Sequence, residues 1–392
     1  MDLTPSLVEH PDPVIALTAR LIATDTVNPG LVPGAVGERA AVELLADRLA
    51  VAGLATRVVE APGHVDRPSL LAWTPDVREC TVLLNGHLDT VGVEGMPEPF
   101  TPHLEGGRLT GRGACDMKGG VAALVVTAEA LAGDPEAPRI VLALVADEED
   151  RSVGTEAILP VLAELGLVPD VALVAEPSGL ALTLSHRGYA VTEVLLTGRA
   201  AHSSLPELGV NAAHHAAAVV AAVIARAPSV AAAGGALMVT AIDAGRAPFT
   251  IPERARVLVE RRTVPLERSA DALAEVQNLL DEVALTQPDM VATARLVNAR
   301  EAWWLDEVGP AADLAGLLAR TLGISADAPG FAAPYWMESA LFQAAGIPAV
   351  VCGPGGGGMH AVDEWLDVDQ LSAYAAALPA ALLAFAASRR AH

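Results

Sequence analysis

The chain has 392 residues, 52% of them hydrophobic but only 3% aromatic, which is enough aliphatic material for two domains and a large core. Its 48 acidic residues outnumber 25 basic ones, and a surface of that sign repels nucleic acid and anionic membranes, so neither is expected as a partner. Three cysteines (Cys80, Cys115, Cys352) without a CxxC pair argue against a disulfide framework; with no basic, apolar leader at residues 1–5, they make the cytoplasm the expected compartment.

Residues 37–52 have helical spacing and stop at Gly53, and a strand is expected over 54–60. Short apolar runs follow at 81–86, 140–146 and 171–175, and such β-branched-rich runs read as buried parallel strands. With a helix over 117–131 they predict an α/β domain with a mostly parallel sheet flanked by helices. Beyond residue 180 come a strand (182–197), a helix (211–226), strands (236–244, 255–264), a helix (269–283) and a strand (291–297), the β-α-β-β-α-β order of a ferredoxin-like unit. A helix at 311–322, a buried strand at 348–352 and an apolar C-terminal helix at 371–388 complete the chain; the last is expected to pack on the sheet rather than cross a membrane. The expected organisation is a catalytic domain in two parts, 1–179 and 299–392, with an α+β domain inserted at 180–298.

Each of the three apolar runs stops at groups that bind divalent metals. The first runs into His87 and Asp89, the second into Glu148 and Glu149, and the third into Glu176. Chemistry collects at the carboxyl ends of strands in open α/β sheets. Asp116 lies in a loop before a helix, and His360 follows a glycine run. Neighbours on an extended backbone point to opposite sides, so one of Glu148 and Glu149 can ligate while the other handles protons. Ordinary readings exist: acids at 147–150 capping a helix, or a plain strand exit at Glu176-Pro177. Four strand ends and one loop carrying such groups together favour two zinc ions sharing one carboxylate. The loops at Gly111-Arg112-Gly113 and 353–358 lack the endings of phosphate-binding loops. In the second, which includes Gly355, close backbone approach to a substrate carboxylate is expected.

At these residues the chain resembles the co-catalytic zinc aminoacylase and carboxypeptidase family, which includes acetylornithine deacetylase, succinyl-diaminopimelate desuccinylase and carboxypeptidase G. The resemblance runs nearly end to end: Thr26-Val27-Asn28-Pro29, Gly86-His87-Leu88-Asp89-Thr90, Asp116-Met117-Lys118-Gly119-Gly120, Asp147-Glu148-Glu149, Glu176-Pro177, Gly198-Arg199-Ala200-Ala201-His202, Arg262 with Pro265, and Gly353-Pro354-Gly355 with His360. It implies a zinc-exopeptidase-like catalytic domain and two Zn2+ ions, with Co2+ or Mn2+ as substitutes. Asp116 would bridge them, His87 and Glu176 completing one position and Glu149 and His360 the other. Asp89 would hydrogen-bond His87 and fix its tautomer. Glu148 would be the general base for a water between the metals. His202, on a lid that is also the dimerisation domain, would donate to the oxyanion, and Arg262, or its neighbour Arg261, would hold a substrate carboxylate.

The resemblance implies removal of an acyl group from an N-acyl amino acid, with an acetylornithine deacetylase as the leading form. A dipeptidase or carboxypeptidase G-like enzyme is the alternative within that chemistry, and a non-catalytic amino-acid-binding homologue the alternative outside it. Two departures bear on substrate: Phe249 stands where the family carries Asn, and Glu338 lies in Trp336-Met337-Glu338-Ser339-Ala340, where it would face a cationic substrate side chain or form a buried structural carboxylate.

Overall fold

In the computed structural model, which describes residues 7–64, 66–325 and 328–390, the apolar runs form the centre of one sheet. Thr81–His87 lies parallel to Arg139–Val145 on one side and to Val171–Val174 on the other, and Ala349–Val351 extends the parallel set. Every residue of Thr81–His87 is buried, as a strand covered on both faces requires. The sheet is mixed rather than mostly parallel. Pro68–Trp73 pairs antiparallel with Arg139–Val145, Ala55–Glu60 pairs antiparallel with Pro68–Trp73, and on the other flank Thr183 pairs antiparallel with Val351. The link from Glu60 to Pro68 is too short for the crossover that a parallel pair needs, so these two strands form a hairpin.

The chain divides into two compact units. The first takes the chain up to Leu184, then Leu305–Phe331, then everything from Met337 onward. It holds the mixed sheet with the helices Arg39–Val51, Gly119–Leu131, Val153–Glu164, Pro310–Leu322 and Val368–Arg390. Val368–Arg390 is long and apolar enough to cross a membrane. Here it buries Leu371, Tyr374, Leu378, Leu382 and Phe385 and packs on Gly119–Leu131 and Pro310–Leu322, so its apolar stripe is covered by helices.

The second unit is Ser185–Trp304 with Ala332–Trp336. Its strands run Ala236–Ala244, Arg254–Thr263, Gly188–Thr197, Val291–Arg300 across one antiparallel sheet. The helices Ala212–Ala232 and Ser269–Ala284 share one core with it, formed by Val194, Leu196, Val257 and Val259 against Val219, Val223, Val276 and Leu279. Burial alternates strictly along Arg254–Thr263, the mark of a sheet with one covered face. Connectivity and strand order are those of a ferredoxin-like unit.

Candidate metal centre

Six side chains of the first unit meet at the carboxyl end of its parallel strands. His87 ends Thr81–His87, Glu148 and Glu149 follow Arg139–Val145, and Glu176 follows Val171–Val174. Asp116 sits in the irregular turn Ala114–Lys118, where the Asp116–Met117 peptide is cis, and the helix begins at Gly119 rather than at Met117. His87 Nε2 lies 3.0 Å from Asp116 Oδ1 and 3.9 Å from Glu176 Oε1. His360 Nε2 lies 3.3 Å from Asp116 Oδ2 and 3.0 Å from Glu149 Oε2. Asp116 thus turns one carboxylate oxygen to each imidazole, as a ligand shared by two cations does. Donor atoms of His87, Asp116 and Glu149 lie within 4.8 Å of one another, and so do those of His87, Glu148 and Glu176. On distance alone Glu148 is therefore also placed to ligate.

The charge balance calls for cations. Burial, followed by the neighbouring Glu176 charge, pushes Glu148 well above the usual carboxylate range, and burial does the same to Glu176. Burial also raises Glu149, with the Asp116 charge adding to it. Burial works against Asp116 too, but hydrogen bonds from His360 and His87 hold it below its ordinary value. Burial opposes protonation of His87, and the hydrogen bond to Asp116 and the charge of Glu176 outweigh it, so its pKa rises. Hydrogen bonds to Asp116 and Glu149 raise His360 to about 10. Four carboxylates meet two imidazoles, all largely buried except His360, so acidic groups outnumber basic ones, and this N/O donor set fits two divalent ions such as zinc. Cys115 is buried beside Asp116, and burial drives its thiol far up, so it stays protonated and outside the donor set.

The groups that hold these side chains differ in part from expectation. His87 Nδ1 hydrogen-bonds the main-chain carbonyl of Asp89 at 3.0 Å, while the Asp89 carboxylate is 3.7 Å away, beyond hydrogen-bond reach. That carboxylate instead accepts the N–H groups of Glu148 at 3.0 Å and Glu149 at 3.2 Å. Asp89 therefore orients the imidazole through its backbone and the two glutamates through its side chain.

Glu364 has no counterpart among the residues expected from the sequence. It is 1% exposed, and its carboxylate accepts from Arg112 Nη1 at 2.7 Å and from the N–H groups of Gly113, Cys115 and Asp116 at 2.9, 3.0 and 3.1 Å. Arg112 Nη2 also donates to Ala361 O at 3.0 Å, so one buried ion pair ties the Asp116 turn to the His360 loop. The only signal for it was the acidic pair Asp363-Glu364 just after His360.

Glu338 is 1% exposed and accepts from Asn85 Nδ2 at 3.3 Å; burial pushes it up to about 7. Glu338 is thus a buried carboxylate, and its charge acts on Glu148 and Glu176. The Gly355 N–H is taken by Gln370 Oε1 at 2.9 Å, and a Cβ there would lie 2.7 Å from Gly179 Cα. Gly353 would similarly press on Ala175 O at 2.4 Å. These glycines let their loop pack on the segment carrying Glu176.

His202 and Arg262 belong to the second unit. The Ser204 N–H donates to His202 Nδ1 at 3.2 Å, with Ser204 Oγ at 2.7 Å. Nδ1 is then an acceptor, and the neutral ring keeps its proton on Nε2. The Phe249 carbonyl accepts from Ser203 N–H at 3.0 Å, which places the exposed Phe249 on the loop paired with His202. Arg261 is buried and paired with Glu267 and Glu275 at 2.8 and 3.0 Å. Arg262 is one-third exposed, pairs with Glu260 at 2.6 Å and stacks over Tyr189, so it is the arginine with an open side. Trp303 is a core residue stacked on His186.

The chain is similar to known proteins over most of its length. Residues 83–384 match peptidase family M20/M25/M40. The succinyl-diaminopimelate desuccinylase of Paracoccus denitrificans is 31% identical over 92% of this chain and 95% of its own length. A tripeptidase from Staphylococcus aureus has the same fold, with a TM-score of 0.77 and 18% identity over 96% of this chain and 98% of its own. So does a Bacillus subtilis protein described as a dinuclear metal-binding peptidase of the M20 family, with a TM-score of 0.72 and 14% identity over 95% and 97% of the two chains.

Proposed function

The chain belongs to peptidase family M20/M25/M40 and is a metal-dependent hydrolase of amide bonds; from there we propose that it removes the acyl group from an N-acyl amino acid with two zinc ions held by His87, Asp116, Glu149, Glu176 and His360. The observation that carries this reading is Asp116 facing both imidazoles within a buried set of carboxylates. When bound, the two ions supply Lewis acidity, lowering the pKa of water and polarising the amide carbonyl. Glu148 takes the proton of the attacking water and returns it to the leaving nitrogen, the exchange that a carboxylate beside the metal ligands is placed to make. His202 donates from Nε2 to the oxygen that becomes negative. Arg262 forks the substrate carboxylate. The second unit acts as the lid that carries both, and through it two copies form a cytoplasmic homodimer.

The acyl group is better read as succinyl than as acetyl on ornithine. The curated relative named above is a desuccinylase. The test is a hydrolysis screen of the metal-depleted and zinc-restored protein over N-succinyl and N-acetyl amino acids and dipeptides. Zinc-dependent turnover of N-acyl amino acids is expected; turnover confined to dipeptides would replace this reading with an exopeptidase.

A further inference from the structure

The motif Thr26-Val27-Asn28-Pro29 has no part in the chemistry above, yet its Asn28 is fully buried and uses all four hydrogen-bonding positions of its amide. Nδ2 donates to Asp89 Oδ2 at 2.8 Å and to Asp147 Oδ1 at 3.0 Å. Oδ1 accepts from Gly30 N–H at 2.8 Å and from Arg67 Nη1 at 3.1 Å. The backbone is pinned to the segment after His87, with Asn28 N–H on Thr90 O at 2.9 Å and Thr90 N–H on Thr26 O at 3.1 Å. Behind Asn28, Arg67 forks Glu38 at 3.1 and 2.5 Å and reaches Asp147 at 2.7 Å.

The carboxylates of Glu38, Asp89 and Asp147 share this interior with the Arg67 guanidinium, an excess of negative charge. Asp89 and Asp147 repel each other, and the Asn28 amide gives one N–H bond to each. Both lead to the reacting groups. Asp89 takes the N–H groups of Glu148 and Glu149. Asp147 has φ +70°, a left-handed backbone that turns the chain sharply after the strand, and its carboxylate is held by Asn28 and Arg67.

We propose that Asn28 is a positioning residue for the hydrolysis: by holding the Asp89 and Asp147 carboxylates side by side, it fixes the backbone from which Glu148 and Glu149 project, and so sets the proton carrier against the metal ligand. This rests on the roles proposed above for Glu148 and Glu149. A neutral, isosteric donor is what the site demands, so Asn28→Asp, which keeps the shape but turns an acceptor toward two carboxylates, is the informative change. A displacement of about 1 Å at reacting groups costs about a hundredfold in rate, and loss of a group supporting metal ligands costs about 10–100-fold in metal affinity.

The experiment compares wild type, Asn28→Asp, Asn28→Ser and Glu148→Gln as full chains. Folding is followed by circular dichroism, zinc affinity of the metal-depleted protein by chelator competition, and kcat and KM with the N-acyl amino acid turned over fastest in the screen. Both Asn28 variants are expected to fold, to lose about a hundredfold in kcat with KM within about threefold, and to bind zinc about 10–100-fold more weakly. Folded variants with kcat and zinc affinity within twofold of wild type would overturn the assignment, as would failure of both to fold, which makes Asn28 a residue of the fold alone. Near wild-type turnover in Glu148→Gln would instead sink the proton-transfer reading, and the zinc affinities would still decide the role of Asn28.

Discussion

The two sides of Asp116 are built differently. His87 ends a strand buried on both faces, and its side chain is 1% exposed. His360 stands in a loop at φ +63°, and its side chain is 54% exposed. The strand end delivers the first imidazole, and the main-chain carbonyl of Asp89, two residues on, sets its ring. The second imidazole depends on the Glu364–Arg112 pair, which anchors its loop to the Asp116 turn. One side of the centre is thus preformed by the sheet, and the other is assembled by loop contacts and stays open to solvent.

Removing each histidine tests that contrast most severely. His87→Ala leaves buried carboxylates without a partner and is expected to cost about 3–5 kcal/mol of stability, the cost of breaking a buried charge pair. His360→Ala, half-exposed, should stay within about 1 kcal/mol of wild type, as surface pairs do. Denaturant titrations of the metal-free proteins measure both; equal losses would break the comparison. His202→Ala touches neither side. It should lower kcat about a hundredfold, as for one oxyanion donor, with zinc binding unchanged by isothermal titration calorimetry. Glu364→Gln strikes the loop-built side and should weaken zinc binding about 10–100-fold, with the weaker of two binding steps most affected.

The smallest effect is in pH. In the metal-free protein, His360 is raised from 6.5 to about 10. Its protonated form is favoured in the folded state, so this stabilisation is present below about 6.5 and is lost as pH rises through about 10. Glu148 and Glu176, raised by burial, act with the same sign above their ordinary value. Zinc displaces those protons, so its affinity should rise over the same window. Melting curves with and without zinc between pH 6.5 and 10 should diverge; parallel curves would remove His360 from the donor set.

The parallel core was legible because 81–86, 140–146 and 171–175 are largely apolar runs; the residues just after them gave four of the six clustered side chains, His87, Glu148, Glu149 and Glu176, and the loops gave Asp116 and His360. Of the antiparallel flank, Ala55–Glu60 was legible as a strand and its partner was not. Pro68–Trp73 is short and opens on proline, so it carries no clear strand period. The helix Val153–Glu164 contains Pro160, and Ala212–Ala232 continues past Arg226 through Pro228; proline reads as a stop in both, whereas packing overrides it. Glu364 and Asn28 escaped a functional reading because their work is done by hydrogen bonds to backbone and carboxylates distant in sequence. For Glu338 the sequence left a substrate contact and a buried carboxylate open, and it is buried; the packing of Gly355 on Gly179 depends on a contact between loops distant in the chain, which position alone does not reveal.

Distances allow Glu148 to ligate as well as to carry protons, and the account depends on the second role. The direct measurement is zinc titration of metal-depleted wild type and Glu148→Gln, followed together with turnover. The account predicts two zinc ions bound by both proteins with similar affinity, and a fall of about three or more orders of magnitude in kcat for the variant. A variant that binds one zinc fewer, or that keeps wild-type turnover, would contradict it.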